Sequence, residues 1–579
     1  MIRKLSQYLG EYRKLLIIIP LLVIADVICE LSMPLLMARV VDVGIPGKDV
    51  AYIARIGVYM VLLAIGAIIF GMTNMYFNTT ASMGFAANLR SALFEKVQTF
   101  SFNNIDRFST GSLITRLTND VNNVQLTFMM MLRLLLRAPM MLIVAFILAF
   151  SINARLSIVL GIAIPLLVVG VLLIMRTASK RFAIMQEKID AVNSALQENL
   201  IGMRVVKSYV REDFEIGKFQ KSNDGLTNAA IRAVSIALLN MPVMMLVMNG
   251  ATLAIIWLGG RMVYVGTLGA GQLISFLSYV MQILMSVMMV SMVVLMATRA
   301  QASAKRIIEV LDTQTDIAQP ARPATAPARG GKIEFRDVTF KYNRTGSGED
   351  VLTAISFTAQ PGQVVGIVGG TGTGKTTLVH LIPRLYDVTG GAVLVDGVDV
   401  RDYNLDDLRE KIGMVLQNNT LFSGTIRENL LWGNPDATQE EIETACKAAQ
   451  AHDFILSFPN GYDTQLGRGG VNVSGGQKQR LCIARAMLKK PSILILDDST
   501  SAVDTSTEAK IRAAFYQNFA DTTVLIIAQR ISSVREADEI IVIDDGQVVG
   551  IGTHEELLAD NSIYQEINAS QQEGAVLHG

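Results

Sequence analysis

The stretch GQVVGIVGGTGTGKTTLVHLI, residues 362–382, decides the fold of the second half of the chain. It has an apolar run typical of a buried strand, then a glycine-rich loop, then a run of helix-forming residues. Inside it, the pattern Gly369-x4-Gly374-Lys375-Thr376 has the spacing of the phosphate-binding P-loop. Because the pattern stands in the strand–loop–helix context that the motif requires, a glycine-rich turn that binds nothing is strongly disfavoured.

Each residue type in this loop has a physical reason. Glycines let backbone N–H groups turn inward around phosphate, and the N-terminus of the following helix adds positive potential. Lys375 can reach the β- and γ-phosphates, and the Thr376 hydroxyl can coordinate Mg²⁺. We therefore predict that ATP and Mg²⁺ bind at Gly369, Gly370, Thr371, Gly372, Thr373, Gly374, Lys375, Thr376 and Thr377.

Composition limits the class of protein. At 579 residues the chain exceeds one domain, half of it is hydrophobic and only 18% is charged, which suits a chain with a large membrane part. The formal net charge is zero, so a nucleic acid partner has no electrostatic support. Cys29, Cys446 and Cys482 share no ligand spacing, so we expect neither a zinc site nor a disulfide framework, and a reducing interior fits.

The apolar residues of the first half form six long runs. Each run can supply the roughly 20 apolar residues that a bilayer-spanning helix needs. The third and fourth are separated only by INAR, residues 152–155, which we predict to be a tight turn. The first run is too long for a cleaved signal peptide and lacks the clear boundaries that such a peptide has. The runs centre near 14–36, 57–77, 134–151, 155–175, 239–259 and 271–297.

Basic residues predict the orientation of these spans. Lysine and arginine are concentrated in the polar segments 79–127 and 176–238, and are fewer in the opposite connections. This excess places both segments and both termini in the cytoplasm. Both segments are rich in helix formers, so we expect the spans to continue beyond the membrane and to turn back near 103–111 and 203–213. The basic segment 1–14 is either an interfacial helix or a plain positive flank.

The composition changes after Leu311. The following residues are rich in proline and alanine without apolar periodicity, which indicates a linker over 312–331. From Lys332 onward, apolar strands alternate with helices. We therefore predict a membrane α-helical bundle over 1–311, with six transmembrane helices and long cytoplasmic extensions, fused to an α/β P-loop nucleotide-binding domain over 332–579.

A second motif narrows the class further. VNVSGGQKQRLCIARAM, residues 471–487, places Ser474, Gly475, Gly476 and Gln477 at the start of an amphipathic helix, and ILILDD, residues 493–498, ends a buried strand in two aspartates. With the P-loop and the six spans, these motifs resemble an ATP-binding cassette (ABC) exporter half-transporter over nearly the whole chain. The closest resemblance is to the degenerate-site subunit of bacterial heterodimeric ABC multidrug exporters. In that family two nucleotide domains enclose two ATP molecules, each between one P-loop and the other signature.

The resemblance implies a role for each matching residue. Tyr342 would stack on adenine, although alone it is more often a packed strand residue. Gln417, which alone is merely polar, would sense Mg²⁺ and the attacking water, and Asp497 would hold Mg²⁺. Asp504 would cross the dimer interface, and Ser474 to Gln477 would complete the partner's site. The turns near 104–112 and 206–214 resemble coupling helices, which dock on nucleotide domains.

Two positions depart from the family pattern. Asp498 stands where competent subunits have the glutamate that acts as base, and Gln529 stands where they have a histidine. The side chain of Asp498 is one methylene shorter than that of glutamate, and Gln529, unlike histidine, cannot become a cation. We therefore predict a site that binds ATP well and hydrolyses it poorly, in a heterodimer whose partner carries the glutamate and the histidine. A homodimeric exporter and an ATP-gated regulatory or channel-like ABC protein remain alternatives, while six spans exclude a soluble ABC protein.

The spans carry a few charged residues. Asp26 and Glu30 lie four residues apart and share one helix face, so they form either a cation-attracting patch in a substrate cavity or a structural, hydrogen-bonded pair. Arg133 and Arg137 are expected to snorkel to lipid headgroups. Methionine-rich spans suit an adaptable pocket, although ordinary packing explains many of them. The predicted function is ATP-driven efflux of hydrophobic or amphipathic compounds, multidrug or lipid-like, across the inner membrane.

Overall fold

The computed structural model describes residues 2–324, 330–342, 349–498, 503–519 and 521–577. The chain divides into two compact units. The first comprises Met1–Gln98 and Thr110–Thr313, and the second comprises Thr99–Ser109 and Gln314–Gly579. A short segment from the middle of the helical half therefore packs with the nucleotide-binding half.

Every regular element over residues 2–312 is a helix. Short π-helical segments, such as Val40–Gly44 and Met131–Leu135, interrupt or extend the α-helices, and a 3₁₀ segment spans Ser6–Lys14. The helices are α1 (Ile2–Leu5), α2 (Leu15–Arg39), α3 (Val50–Gln98), α4 (Phe102–Arg107), α5 (Thr110–Thr115), α6 (Val121–Met130), α7 (Leu136–Ile152), α8 (Ala154–Ile201), α9 (Met203–Ser208), α10 (Glu212–Leu238), α11 (Asn240–Tyr264) and α12 (Ala270–Asp312).

Six helical stretches are long and apolar enough to cross a membrane, which confirms the prediction of six spans. Several of them have more than 40 residues, about twice what a bilayer core of ~30 Å requires. They therefore extend well beyond a membrane. The stretches are Arg3–Gly44, Val50–Gln98, Thr110–Ile152, Ala154–Ile201, Glu212–Tyr264 and Ala270–Val287.

The turn between the third and fourth spans follows from one residue. Asn153 has extended backbone angles, and its side-chain oxygen accepts hydrogen bonds from the backbone N–H groups of Arg155 and Leu156. It thus caps α8 immediately after α7 has ended, as asparagine does at many helix starts. The core of this unit is apolar except at points such as Tyr279, whose buried hydroxyl donates to the Leu31 carbonyl at 2.8 Å.

The second unit contains two main sheets. An antiparallel sheet has the strand order β2-β1-β4-β5, and a mixed sheet has the order β12-β11-β3-β10-β9-β6. The strands are β1 (Ile333–Phe340), β2 (Leu352–Ala359), β3 (Val364–Gly369), β4 (Gly390–Val395), β5 (Val398–Asp399), β6 (Ile412–Val415), β7 (Gly424–Thr425), β8 (Gln465–Leu466), β9 (Ile493–Asp497), β10 (Thr523–Ile527), β11 (Glu539–Asp544) and β12 (Gln547–Gly552).

Helices cover the mixed sheet, and its central strands are parallel. Because both faces of these strands are buried, they are continuous apolar runs rather than alternating patterns. The helices of this unit, after α4, are α13 (Lys375–Leu381), α14 (Leu405–Glu410), α15 (Ile426–Leu430), α16 (Gln439–Ala448), α17 (His452–Ser457), α18 (Gly475–Leu488), α19 (Thr505–Asn518), α20 (His554–Asp560) and α21 (Ser562–Leu577).

Candidate nucleotide-binding site

Three neighbouring parallel strands deliver the predicted site residues to one edge of the mixed sheet. The P-loop follows β3, Asp497 ends β9, and Gln529 follows β10, which lies between them. In the register of these strands, Ile527 pairs with both Asp497 and Ile367. Ligands bind at the carboxyl ends of parallel strands in such sheets, and the predicted residues therefore share the expected location.

The P-loop has the backbone that its glycines allow. Gly372 and Gly374 have positive φ angles of +87° and +92°, and a Cβ on Gly374 would lie 2.8 Å from a methyl group of Leu352. Lys375 opens α13 and donates from Nζ to the Gly369 carbonyl at 3.0 Å. Burial lowers the pKa of Lys375, against the opposing effect of the nearby aspartates. The loop thus holds an ammonium group at a helix N-terminus, which suits phosphate.

Thr376 and Asp497 form the part of the site that fits Mg²⁺. The Thr376 hydroxyl donates to Asp497 Oδ1 at 2.9 Å. Asp497 is 1% exposed, and its Oδ2 atom has no hydrogen-bond partner within the described residues. Burial raises the pKa of this carboxyl above its ordinary value. Asp497 thus offers a buried carboxylate oxygen that no hydrogen-bond donor occupies, next to a threonine hydroxyl. Hard cations such as Mg²⁺ prefer oxygen ligands of this kind.

Asp498, at the position of the base, is held by amide side chains. Gln529 Nε2 donates to Asp498 Oδ2 at 2.7 Å. Burial raises the pKa of Asp498, while a hydrogen bond with the Gln417 side chain and the charge of Lys375 act in the opposite direction. Its backbone has a φ of +48°, which is uncommon for a residue other than glycine. Asp498, Gln417 and Gln529 are therefore one cluster, and the two departures from the family pattern are in direct contact.

Tyr342 lies at the end of the antiparallel sheet, where the resemblance places the adenine base. Its hydroxyl is 2.8 Å from Thr377 Oγ1, which ties it to the helix that follows the P-loop. The residue is 42% exposed. It packs edge-on against Phe340 and Tyr386, with ring centroids 5.0 and 5.2 Å away. An aromatic face thus remains available beside the phosphate loop.

Sequence reasoning missed Tyr386 and its partner Asp106. The Tyr386 hydroxyl donates to Asp106 Oδ2 at 2.7 Å, and Phe102 packs edge-on against the same ring at 6.0 Å. Burial and the hydrogen bond with Asp106 raise the pKa of this phenol. Phe102 and Asp106 belong to α4, at the first predicted turn, so this turn contacts the ring that supports Tyr342. A contact across 280 residues leaves no local pattern in the sequence.

The signature residues begin a helix. Ser474 is the N-cap of α18, and its side-chain oxygen accepts from the backbone N–H of Gln477 while the Gln477 side chain accepts from the backbone N–H of Ser474. Gly475 and Gly476 form the first turn, so the positive end of α18 is free of bulky side chains. Asp504 is exposed and caps α19 through Thr507, and these backbone hydrogen bonds lower its pKa.

In the membrane-spanning unit, the predicted pair Asp26 and Glu30 has a partner. Arg137 Nη2 lies 2.5 Å from Glu30 Oε2, and Arg137 Nη1 lies 3.4 Å from Asp26 Oδ2. The prediction that Arg137 snorkels to lipid headgroups is therefore wrong, because an arginine that faces two carboxylates on the neighbouring helix gains more by pairing with them. Arg133, one turn earlier, is exposed.

Comparison with known proteins agrees with this arrangement. Residues 16–287 match the ABC transporter transmembrane region family, and residues 352–501 match the ABC transporter family. The chain is 39% identical over 569 residues to the ABC transporter ATP-binding protein YfiB of Bacillus subtilis, with 98% of each chain covered.

A second relative has a named activity. The chain is 37% identical over 488 residues to the ATP-dependent lipid A-core flippase of Syntrophus aciditrophicus, which covers 84% of this chain and 80% of the relative. Among solved structures, a bacterial Atm1-family ABC exporter with ATP bound superposes with a TM-score of 0.79 and 25% identity, over 96% of this chain and 99% of the other. Spans, site geometry and these similarities lead to one conclusion: the chain belongs to the ABC transporter family, as an exporter half-transporter with a transmembrane region fused to an ATP-binding domain.

Proposed function

We propose that this chain is the degenerate-site half of a heterodimeric ABC exporter that moves hydrophobic or amphipathic compounds out of the cell. Its own P-loop site would bind ATP and Mg²⁺ but hydrolyse ATP slowly, and its signature would complete the active site of the partner. The observation that carries this proposal is the 2.7 Å hydrogen bond from Gln529 to Asp498.

That hydrogen bond weakens Asp498 as a base, because it occupies an acceptor site on the oxygen that would take a proton from water. The aspartate is also one methylene shorter than the glutamate of competent relatives. Because a displacement of about 1 Å can cost on the order of 100-fold in rate, we expect slow hydrolysis here.

The residues that hold ATP are nevertheless complete. Lys375 would contact the β- and γ-phosphates, the backbone N–H groups of the P-loop would surround them, and Tyr342 would stack on adenine. Thr376 and Asp497 would hold Mg²⁺, with Gln417 close to it; the ion, when bound, neutralises charge on the phosphate oxygens. Slow turnover with intact binding is therefore the expected state of this site.

A second half-transporter would contact two apolar surfaces of this chain. The tip around α9 exposes a set of apolar side chains, and Phe422 and Trp432 stack at 4.4 Å with both rings exposed, five and fifteen residues after Gln417. Exposed apolar patches of this kind mark protein contacts. The exposed tip residues are Leu200, Ile201, Val205, Tyr209 and Val210, which are 60–80% exposed.

The first turn supports this assignment of the tip. Phe102 on α4 packs against His380 and Tyr386 within the second unit. The apolar tip at α9 would dock on an aromatic cluster of the same kind in the partner, near the partner's glutamine that corresponds to Gln417. In return, the Phe422–Trp432 pair of this chain would bind the partner's tip. Closure of the nucleotide domains on ATP would then move the spans of both chains.

The membrane orientation and cargo are part of the same proposal. The basic segments 79–127 and 176–238 support cytoplasmic ends and an inner-membrane location. The similarity to a lipid A-core flippase supports a cargo that is lipid-like or amphipathic, and membrane lipid would surround the spans.

Co-expression tests the proposal. The chain would be produced alone and with a second half-transporter that carries glutamate and histidine at the matching positions, and uptake of a hydrophobic dye into inverted vesicles would be measured with ATP. We expect dimers and ATP-dependent uptake only for the pair. Equal uptake by the chain alone would contradict the heterodimer and favour a homodimeric exporter.

A further inference from the structure

Two carboxylates and one guanidinium meet inside the membrane-spanning unit, and we propose that they bind the protonated amine of a transported compound. The proposal rests on the proposed export function and adds a chemical class of substrate to it. Asp26 and Glu30 lie on α2, and Arg137 on α7 bridges them at 3.4 Å and 2.5 Å.

The charge of this triad is unbalanced. Two carboxylates face one guanidinium, and the side chains of Asp26, Arg137 and Glu30 are only 8%, 26% and 35% exposed. A net negative charge away from water is costly, and charged residues within spans are associated with binding sites and pathways. Arg133 is exposed, so its charge acts more weakly on Asp26 than that of Arg137. A second cation would stabilise the triad.

Unpaired acceptors next to the triad indicate that this cation carries N–H groups. Asn74 on α3 is 8% exposed, and its Oδ1 is buried without a hydrogen-bond partner in the described part of the chain. It lies one turn after Gly71, where a Cβ would be 3.7 Å from Asp26 Oδ1, so helical spacing directs Asn74 to the same side. Asn78, a further turn along, donates to the Met129 carbonyl but leaves its own buried Oδ1 unpaired.

These acceptors are an observation separate from the charge count. Buried polar atoms in proteins are nearly always hydrogen-bonded, so two unpaired amide oxygens one turn apart on α3 are open to a hydrogen-bond donor. A donor-bearing ligand would satisfy them, whereas an anion would not. Charge and hydrogen bonding thus both favour an amine cation.

Arg137 has the features of an internal cation that a substrate can displace. It contributes one nitrogen to each carboxylate rather than two to either, and its buried Nε has no hydrogen-bond partner among the described residues. Such a bridge is weaker than a two-bond arginine–carboxylate pair. Arg137 is closer to Glu30 than to Asp26, so a substrate amine would pair with Asp26, on the side of Asn74, while Arg137 keeps Glu30.

Matched fluorescent compounds test this assignment on the purified transporter with its partner. Dansylcadaverine carries a primary amine, its N-acetyl derivative is neutral, and its trimethylammonium derivative has the charge without N–H groups. Dansyl fluorescence would report binding, and inverted vesicles would report transport. We expect the amine to bind about tenfold more tightly than the N-acetyl compound, with the trimethylammonium compound between them.

Variants separate the site from general effects. Asp26→Asn should abolish the amine preference and leaves the Arg137–Glu30 pair balanced, and Arg137→Gln should increase the preference because the competing cation is gone. A triple variant, Asp26→Asn with Glu30→Gln and Arg137→Gln, leaves no unpaired charge that could prevent folding, and it should show no preference. Glu187→Gln removes an exposed carboxylate on α8 and should keep the preference.

Equal affinity for the amine and the N-acetyl compound in the unmodified transporter, or a preference that survives in the triple variant, would overturn the inference. If vesicles still export the N-acetyl compound in that case, the proposed export function stands and only the site assignment fails. If amine-selective binding is found but no compound is exported, the site stands and export of this class fails.

Discussion

Gln529 and Asp498 form a hydrogen bond of 2.7 Å between Nε2 and Oδ2. The two residues follow adjacent strands, β10 and β9, so the backbone brings them together. A histidine at the first position could carry a charge near the γ-phosphate, and a glutamate at the second could reach further toward water. In this chain the glutamine and the aspartate bind each other instead. The two departures from the family pattern therefore meet in one hydrogen bond.

The proposed Mg²⁺ ligands, Thr376 and Asp497, should control ATP binding. Asp497→Asn removes the negative charge beside the Thr376 hydroxyl, and we expect ATP affinity in the presence of Mg²⁺ to fall about tenfold, with little change in its absence. Titration of a fluorescent ATP analogue with and without a chelator measures this. Asp560→Asn, an exposed carboxylate in the same domain, is the control. An equal loss without Mg²⁺ would contradict the assignment.

The residual hydrolysis at this site should depend on pH through Asp498. Burial raises its pKa, and a base must be ionised, so hydrolysis should be lost as the pH falls through this raised value, at a higher pH than for an ordinary aspartate. The experiment uses a partner whose own catalytic glutamate is replaced by glutamine. Asp498→Asn should remove the pH-dependent component; an unchanged profile in that variant would exclude Asp498 as its origin.

Tyr386 should couple the position of α4 to ATP hydrolysis. Tyr386→Phe keeps the ring that packs on Tyr342 but removes the hydrogen bond to Asp106, a loss of about 1 kcal/mol. We expect nearly normal ATP binding and a roughly fivefold weaker stimulation of ATP hydrolysis by transported compound.

Tyr516→Phe is a matched control for that experiment, because its hydroxyl also donates over 2.7 Å, to the Glu536 carbonyl on another part of the domain. If both variants reduce stimulation equally, the Tyr386–Asp106 contact has no special role in coupling.

The exposed tip should matter for assembly and not for folding. Tyr209 is 75% exposed, so Tyr209→Asp should leave the yield and unfolding temperature of the chain unchanged. A charge in a buried apolar contact is costly, so co-purification of the partner or ATP-dependent transport should fall at least about tenfold. Ser179→Asp adds the same charge at an exposed position of α8 and should have no effect. Normal co-purification of the partner and normal ATP-dependent transport in Tyr209→Asp would refute docking through this tip.

The sequence predicts those parts of the molecule whose cause is local. The P-loop spacing, the apolar runs and the Asn153 turn each depend on neighbouring residues, and the P-loop therefore predicts a strand before it and a helix after it. The pairing of Arg137 with Glu30 depends instead on which helices pack together, so a prediction from the α7 sequence alone chose lipid headgroups. The contact of Tyr386 with Asp106 was beyond reach for the same reason.

The central claim is that this chain holds ATP at a site that rarely cleaves it. The most direct measurement compares ATP binding and ATP hydrolysis by the purified chain with those of a double variant, Asp498→Glu with Gln529→His, each alone and with a partner whose own catalytic glutamate is replaced by glutamine. The account predicts similar ATP affinity in both proteins, with slow hydrolysis by the natural chain and a rate at least about tenfold higher in the double variant once the partner is present. Brisk hydrolysis by the natural chain alone, at the rate of the double variant, would contradict it.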